Sequence, residues 1–335
     1  MNKYAIGIDL GGTIIKMGIV WEGKVIVSGI LKSDSGNGLG RKLPEIETAL
    51  KEMLRERQIP SSSIAGVGIS FPGLVDSSRS AVLSTNAKYD DAPVLDLKSW
   101  AQNCFGGKFY LDNDARMAAI GEWQYGVAKG CDNLVMMTIG TGIGCGVIIE
   151  GKLLKGVHFQ AGCLGGHLTV DYKGRRCNCG NIGCVEAISS SFFLNDIIRE
   201  NQQIGKDFYN LYAPFDFKKL FELFRVGNPD AKIIVYDCMD AWSAGIVNLI
   251  HAYDPEIIVL GGGVVKSADI IIPYIQKRVD SLAWTPWEKV KIVESQLKDE
   301  VGIIGAAHCA MTIQTTRHCE GEARSNPELS MNNAG

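Results

Sequence analysis

Two stretches of the chain decide how it folds: residues 4–24, YAIGIDLGGTIIKMGIVWEGK, and residues 132–152, DNLVMMTIGTGIGCGVIIEGK. Laid over each other at an offset of 128 residues, Gly12-Thr13 falls on Gly140-Thr141, Gly18 on Gly146, and Glu22-Gly23-Lys24 on Glu150-Gly151-Lys152. Each copy is an apolar run, a Gly-Thr turn, a second apolar run and a Gly turn, the pattern of a β-hairpin with a glycine-rich first bend. A repeat of this period predicts two related domains rather than a solenoid. The length agrees, since 335 residues at about 150 per domain make roughly two cores.

Outward from the first copy, Ile46, Leu50 and Leu54 recur at helical spacing within Pro44 to Gln58, and Ile64 to Ile69 reads as a strand. Phe109 to Leu111 is a short strand running into Asp112-Asn113-Asp114, and Ala115 to Tyr125 reads as a helix with acids at its N-terminus. Helices are also expected over about Ile188 to Asn201, Lys218 to Arg225 and Ile233 to Ala252. The all-apolar Ile257-Ile258-Val259-Leu260 reads as a strand buried on both faces that empties into Gly261-Gly262-Gly263 before another helix. This is an α/β architecture, whose ligands bind where strands end. From Thr315 to Gly335 periodicity is lost, and a disordered tail is expected there.

Composition narrows the function. Hydrophobic residues make up 46% and charged residues 21%, values of a globular chain. With 34 Lys+Arg against 37 Asp+Glu the net charge is -3, which leaves no electrostatic footprint for a nucleic-acid partner. No window offers the ~18 uninterrupted apolar residues of a membrane span, and Asp9 interrupts any signal-peptide apolar region. Ten cysteines, three of them crowded at 177, 179 and 184, point to a metal and to a reducing cytoplasm rather than to secreted disulfides.

Asp9-Leu10-Gly11-Gly12-Thr13 lies between two apolar runs. Its glycines let backbone amides approach a ligand and Thr13 adds a hydroxyl, which suits a phosphate; alone, it reads equally as an ordinary hairpin turn. Asp9 can hold a magnesium ion through water. Gly140-Thr141-Gly142-Ile143-Gly144 repeats the cradle, and two facing loops suit a polyphosphate in a cleft. No Gly-Lys-Ser/Thr closes either motif, so this is not a P-loop. Asp112-Asn113-Asp114 stands at a strand-to-helix junction. Capping accounts for one of the three; Asp114 can take a proton from a hydroxyl that attacks phosphorus, and Asn113 offers a donor and an acceptor beside it. His167, Cys177, Cys179 and Cys184 have the spacing of a tetrahedral zinc site, with Gly180 and Gly183 supplying turns. Four protein ligands leave no open position, so the zinc is expected to be structural. The cysteines at 104, 131, 145, 163, 238 and 309 read as inert core residues, His158, His251 and His308 have no partner at a recognisable spacing, and Trp21, Trp123 and Trp242 read as packing.

Together these motifs resemble the ROK family of sugar kinases and sugar-responsive repressors over nearly all of residues 4 to 314. The resemblance rests on residues 9–13, Asn113-Asp114-Ala115, residues 140–144, Gly166-His167, the cluster from Cys177 to Cys184 with Glu186, and Asp254-Pro255 with Ile258 and Gly261-Gly262. It implies two actin-like, ribonuclease H-like domains with a cleft between them: residues 1–114, joined by a C-terminal helix over 301–314, and residues 115–300, which carry the zinc loop 167–186. It implies ATP, Mg2+ and structural Zn2+, a hexose phosphorylated at its 6-hydroxyl, and a cytoplasmic homodimer with no nucleic-acid or membrane partner. Position by position, Asp114 resembles the catalytic base. Asn86, Asn113, Asp114, His167 and Glu186 resemble sugar contacts. Asp9, Gly11, Gly12, Thr13, Lys16, Gly140, Thr141, Gly142, Gly261 and Gly262 resemble the ATP and phosphate contacts. His167, Cys177, Cys179 and Cys184 resemble the metal ligands.

One departure bears on specificity. The family usually writes Ala-Gly-Glu-x-Gly-His, and this chain writes Ala161-Gly162-Cys163-Leu164-Gly165-Gly166-His167. Neither register restores the acid, whose charge-assisted hydrogen bonds to a sugar are worth ~1.5–3 kcal/mol each. Glucose, an N-acetylmannosamine- or N-acetylglucosamine-like hexosamine, and other hexoses therefore stand as alternatives. So does a sugar-binding relative without catalysis, although a pure binder has no need of Asp114. Repressors of the family carry a helix-turn-helix ahead of the phosphate motif; here the motif begins by residue 9, so a kinase is expected.

Overall fold

The computed structural model describes residues 4–85 and 87–312; Asn86 and the tail expected over 315–335 lie outside the described residues. Two five-stranded sheets share one plan. In the first, β1 (Tyr4–Leu10), β2 (Ile14–Trp21) and β3 (Lys24–Lys32) form an antiparallel meander. β4 (Ile64–Phe71) pairs parallel with β1, a separate small hairpin of β5 (Leu74–Asp76) and β6 (Ala81–Ser84) follows, and β7 (Lys108–Asn113) pairs parallel with β4. The order is β3-β2-β1-β4-β7. In the second sheet, β8 (Leu134–Ile139), β9 (Ile143–Ile149) and β10 (Lys152–Leu153) repeat the meander, and β11 (Ile257–Gly261) and β12 (Lys291–Glu294) add in parallel, giving β10-β9-β8-β11-β12.

The echo in the sequence is thus a repeat in space. The Glu22-Gly23 and Glu150-Gly151 bends both hold two residues at positive φ (49° and 76°; 49° and 65°), the two-residue turn whose twist matches that of the flanking strands. Each sheet is covered by helices. Among them are α1 (Leu43–Glu56) and α2 (Leu97–Phe105) on the first, whose buried Ile46, Leu50 and Leu97 join Ile6, Ile8 and Leu10 of β1 in one core. The helix expected from residue 115 is α3 (Asp114–Tyr125), and β7 runs through Asn113, so Asp112 and Asn113 end a strand and Asp114 begins a helix.

The helix expected over Ile188 to Asn201 is two pieces, α4 (Val185–Ser189) and α5 (Leu194–Glu200). The physical reason for the break is a competing set of partners: the amide of Ser191 donates to the carbonyl of Gly140 at 3.1 Å and that of Phe192 to Thr141 at 3.0 Å. The helix is interrupted in order to brace the second glycine-rich loop. Two short helices, α6 (Phe208–Tyr212) and α7 (Phe217–Arg225), lead to α8 (Pro229–Tyr253), which begins at the Asn228 cap with Pro229 in its first turn. By length and composition α8 could cross a membrane, yet Ile234, Val235, Trp242, Ile246 and Leu249 lie in the second core. α9 (Ala268–Leu282) covers the same sheet.

α10 (Val301–Thr312) returns to the first sheet and to α3. Alternation along β1 sends Ile6, Ile8 and Leu10 to one face and Ala5, Gly7 and Asp9 to the other, beneath this helix. The approach is as close as backbones allow: a Cβ on Gly7 or Gly68 would collide with the carbonyls of Ile303 and Ala306, and one on Gly305 with that of Met117 in α3.

Candidate active site

The two glycine-rich loops face a cleft with two connected cavities. One, of about 450 Å³, is lined by Asp9, Gly11, Lys16, Asp114, Gly261 and Gly262 among others. The second, of about 740 Å³, is lined by Gly11, Gly12, Asn113, Asp114, Gly140 to Gly142, His167 and Glu186, with Gly262 at the border. Gly11, Asp114, Thr138 and Gly262 belong to both. Asp114 therefore stands where the cavities meet.

On the first side, the Asp9 carboxylate accepts the Ser70 hydroxyl at 2.6 Å and packs on α10 at Gly302, where a Cβ would come within 2.6 Å of it. Burial pushes the Asp9 carboxyl up from the usual range; the Ser70 hydrogen bond and Lys16 oppose this, and Asp299 adds to it. A carboxylate so placed in the cavity wall can hold a cation. Lys16 is already engaged, donating to the Asp299 carboxylate at 2.8 Å and to its carbonyl at 3.2 Å. Thr13 is exposed and lines neither cavity. Gly262 has φ 91°, and a Cβ there would run into the backbone of Ile139.

At the junction, Asn113 caps α3: its Oδ1 accepts the amides of Ala115 and Arg116 at 3.1 and 3.2 Å, and its Nδ2 donates to the Gly73 carbonyl at 3.0 Å and to Asp114 Oδ1 at 2.9 Å. Capping and positioning of Asp114 are one arrangement. Burial, reinforced by the charge of Asp9, pushes the Asp114 carboxyl up to about 6, against opposing contributions from Lys88, the Ala115 amide and Asn113. Such a carboxylate at the head of a helix can take a proton near neutral pH.

On the second side, Glu186 Oε2 accepts the Ile143 amide at 2.8 Å, which fixes this carboxylate against the Gly140–Gly142 loop. His167 Nδ1 is 3.6 Å from Cys177 Sγ, Cys179 Sγ is 3.7 Å from Cys184 Sγ, and the four ligand atoms lie within 4.8 Å of one another. Zinc–sulfur and zinc–nitrogen bonds in a tetrahedron place such atoms roughly 3.6–3.8 Å apart, so this donor set fits zinc in number and chemistry, and two of its pairs have that spacing.

Sequence reading missed three features of this cavity. Cys163, read as inert core, lines it; its thiol donates to the Gln160 carbonyl at 3.3 Å, and with Leu164 it forms wall where the family motif has an acid. Gln160 and Lys88 line it too. Arg116, fully buried, ties the wall to α3: Nη1 donates to Asp112 at 3.2 Å and Nη2 to the carbonyls of Lys155, Phe159 and Ala161 at 3.3, 3.0 and 2.8 Å. No motif points to Gln160, Lys88 or Arg116; the sequence marks Cys163 and Leu164 only as the place where the family's acid is missing.

Paired hairpin loops on two sheets of one plan, with a helix-borne carboxylate between them, define the two-domain, actin-like α/β fold of sugar kinases. The ROK family model matches residues 5–313, and the chain belongs to the ROK family. It is 32% identical over 309 residues to a glucokinase of Thermotoga maritima, covering 90% of this chain and 95% of that one. It is also 30% identical over 289 residues to a xylose repressor of Bacillus subtilis, covering 84% of this chain and 70% of the repressor. Among solved structures, a ROK family glucokinase from Streptomyces griseus in complex with glucose and AMPPNP superposes with a TM-score of 0.77 at 27% identity, covering 91% of this chain and 98% of that one.

Proposed function

We propose that this chain transfers the terminal phosphoryl group of ATP to the 6-hydroxyl of a hexose, with Asp114 as general base. The chain is an ATP-dependent phosphotransferase of the hexokinase and glucokinase type. The observation that carries the finer reading is the place of Asp114, at the meeting of a nucleotide-sized cavity and an acceptor cavity, with a glycine-rich loop on either side. The acceptor oxygen gives its proton to Asp114 as it bonds to phosphorus, the bond from phosphorus to the bridging oxygen breaks, and ADP leaves. The loops at Gly11-Gly12 and 140–142 hold the phosphates through the amides of Gly12, Thr141 and Gly142, those of Gly11 and Gly140 being engaged by the carbonyls of Ile14 and Gly142; Gly261-Gly262 border the adenosine end, and Asn113, His167 and Glu186 orient the sugar. Asp9 would hold Mg2+ through water, and the ion when bound neutralises phosphate charge. Residues 1–114 with the helix from 301, and residues 115–300, act as two lobes that close and exclude water, the competing acceptor.

A second acceptor class has a specific observation in its favour. Cys163 and Leu164 put a thiol and an apolar side chain where a carboxylate would hold sugar hydroxyls, a surface suited to the N-acyl group of a hexosamine. Mg2+-dependent ATP consumption across a panel of hexoses and N-acetylhexosamines, with product phosphate located by NMR, separates the two. Turnover on one class names the substrate; silence on every sugar would overturn the kinase reading.

The metal reading yields its own expected result. The purified chain carries about one zinc, and Cys177→Ser with Cys179→Ser abolishes it. Loss of zinc loosens residues 167–186, which carry both His167 and Glu186, so KM for the sugar rises more than KM for ATP. Elemental analysis and the two KM values check this; a zinc-free chain with full activity would sink it.

A further inference from the structure

We propose that Lys88 is a catalytic residue of this phosphotransferase, its ammonium donating hydrogen bonds to the oxygens of the phosphoryl group in transfer. Neither the motifs nor the roles given above include it, and the inference rests on the kinase reading.

Three observations carry it. The first is place. Lys88 lines the acceptor cavity beside Asp114, and a Cβ on Gly12 would stand 3.0 Å from its Cε and 3.5 Å from its Nζ. Its ammonium is thus on the face of the first glycine-rich loop. A hydroxyl poised at Asp114 brings phosphorus to within about 3–3.5 Å of the attacking oxygen, between that loop and the carboxylate. The Lys88 charge is also felt at Asp114, where it favours the ionised form.

The second is availability. Among the described residues, the Lys88 ammonium has no hydrogen-bond or ion-pair partner, whereas Lys16 is held by Asp299 and Lys155 by Asp112. A half-buried cation left unpaired beside a phosphate loop is matched by an anion that arrives with the ligand.

The third is preorganisation. Next to Lys88, the fully buried Tyr89 donates its hydroxyl to the Gly11 carbonyl at 2.8 Å and its amide to the Ser35 carbonyl at 2.9 Å. Ser35 in turn donates its hydroxyl to the Gly12 carbonyl at 3.0 Å, and Asp91 accepts the amides of Leu39 and Gly40 at 2.6 and 2.8 Å. The segment carrying Lys88 is therefore sewn to the phosphate loop itself.

Lys88 exchanges no proton; it offsets the charge on the oxygens of the moving group. The test is steady-state kinetics of the full chain with Mg-ATP and the best sugar of the panel, for wild type, Lys88→Met and Lys88→Arg. Expected for Lys88→Met is a kcat about 10²–10³-fold lower, with KM for the sugar and Kd for ADP within about threefold of wild type and an unchanged melting temperature. Lys88→Arg recovers part of the loss. An unchanged kcat overturns the proposal, as does an effect confined to the sugar KM, which would mean that Lys88 reads a negative group on the acceptor. Wild-type turnover in the same assay keeps the kinase reading standing in either case; its absence would overturn both.

Discussion

Asp114→Asn is expected to lower kcat by about 10²–10⁴-fold, the range that a general base supplies, while the chain folds as before. The substitution keeps the size of the side chain and the neighbouring Asn113 cap, and removes only the proton acceptor. The pH profile gives an independent reading. With the carboxyl at about 6, kcat/KM of the wild type falls tenfold per pH unit below that value, because only the ionised form accepts a proton. The stability effect runs the other way. A folded value above the ordinary 3.8 means that the folded chain binds this proton more tightly than the unfolded one, so the group's contribution to stability declines as pH rises from about 4 to about 6. Asparagine has no charge to bury, and the variant should be at least as stable as wild type at neutral pH. Wild-type turnover in the variant, or an activity loss that tracks a loss of stability in urea unfolding, would overturn the assignment.

Arg116→Met should destabilise the chain by about 3–5 kcal/mol, the cost of breaking a fully buried ion pair from one side. Both Arg116 and Asp112 are 0% exposed. Methionine fills the volume but leaves Asp112 with Tyr110, the Asn113 amide and Lys155, whose ammonium is 3.4 Å away and whose side chain is 31% exposed. It also strands the carbonyl of Ala161 and leaves that of Phe159 with the weak Cys163 thiol donor at 3.8 Å. Asp112→Asn in the Arg116→Met background should return part of the loss by removing a buried charge left with Lys155 as its counter-ion. Because the stranded loop carries Gln160 and Cys163, the sugar KM should rise with kcat less affected. Denaturant unfolding of the two variants decides it; a change under about 1 kcal/mol would mean that the pair contributes little.

What could be read in advance followed from repetition and from cysteine spacing. The duplicated hairpins announced two sheets of one plan, and residues 177–184 announced a metal-sized cluster, because both are local patterns whose chemistry is nearly independent of the rest of the chain. The break between Ser189 and Leu194 was not legible: helical periodicity runs through it, and the partners that end the helix are the carbonyls of Gly140 and Thr141, some fifty residues earlier. Arg116 sits one residue beyond the Asn-Asp-Ala motif, where an arginine in a helix reads as a solvated charge; only the folded chain brings residues 155–161 around it. Lys88 belongs to no periodic segment, and its significance depends on Tyr89 reaching Gly11, a contact between residues 78 apart. The register around Cys163 needed the structure too, since both it and Leu164 face the cavity.

The return of α10 to the first sheet has a consequence for the order in which the molecule is made. The face of β1 and β4 that carries Gly7 and Gly68 is completed by a helix that begins at Val301, and 187 residues separate Asn113, the end of that sheet, from this helix. At ribosomal rates of about 5–20 residues per second, the first sheet waits roughly 10 to 40 seconds for its cover. The second sheet and the helices that cover it come from contiguous sequence, with α10 adding only the buried Ala306 and Cys309 to the core on the α3 side, so that sheet can mature first. Vectorial synthesis therefore runs against the order of the lobes here: the half that emerges earliest is the last to be sealed, and a chaperone attending the nascent chain would find its target in the bare, glycine-lined side of β1 and β4.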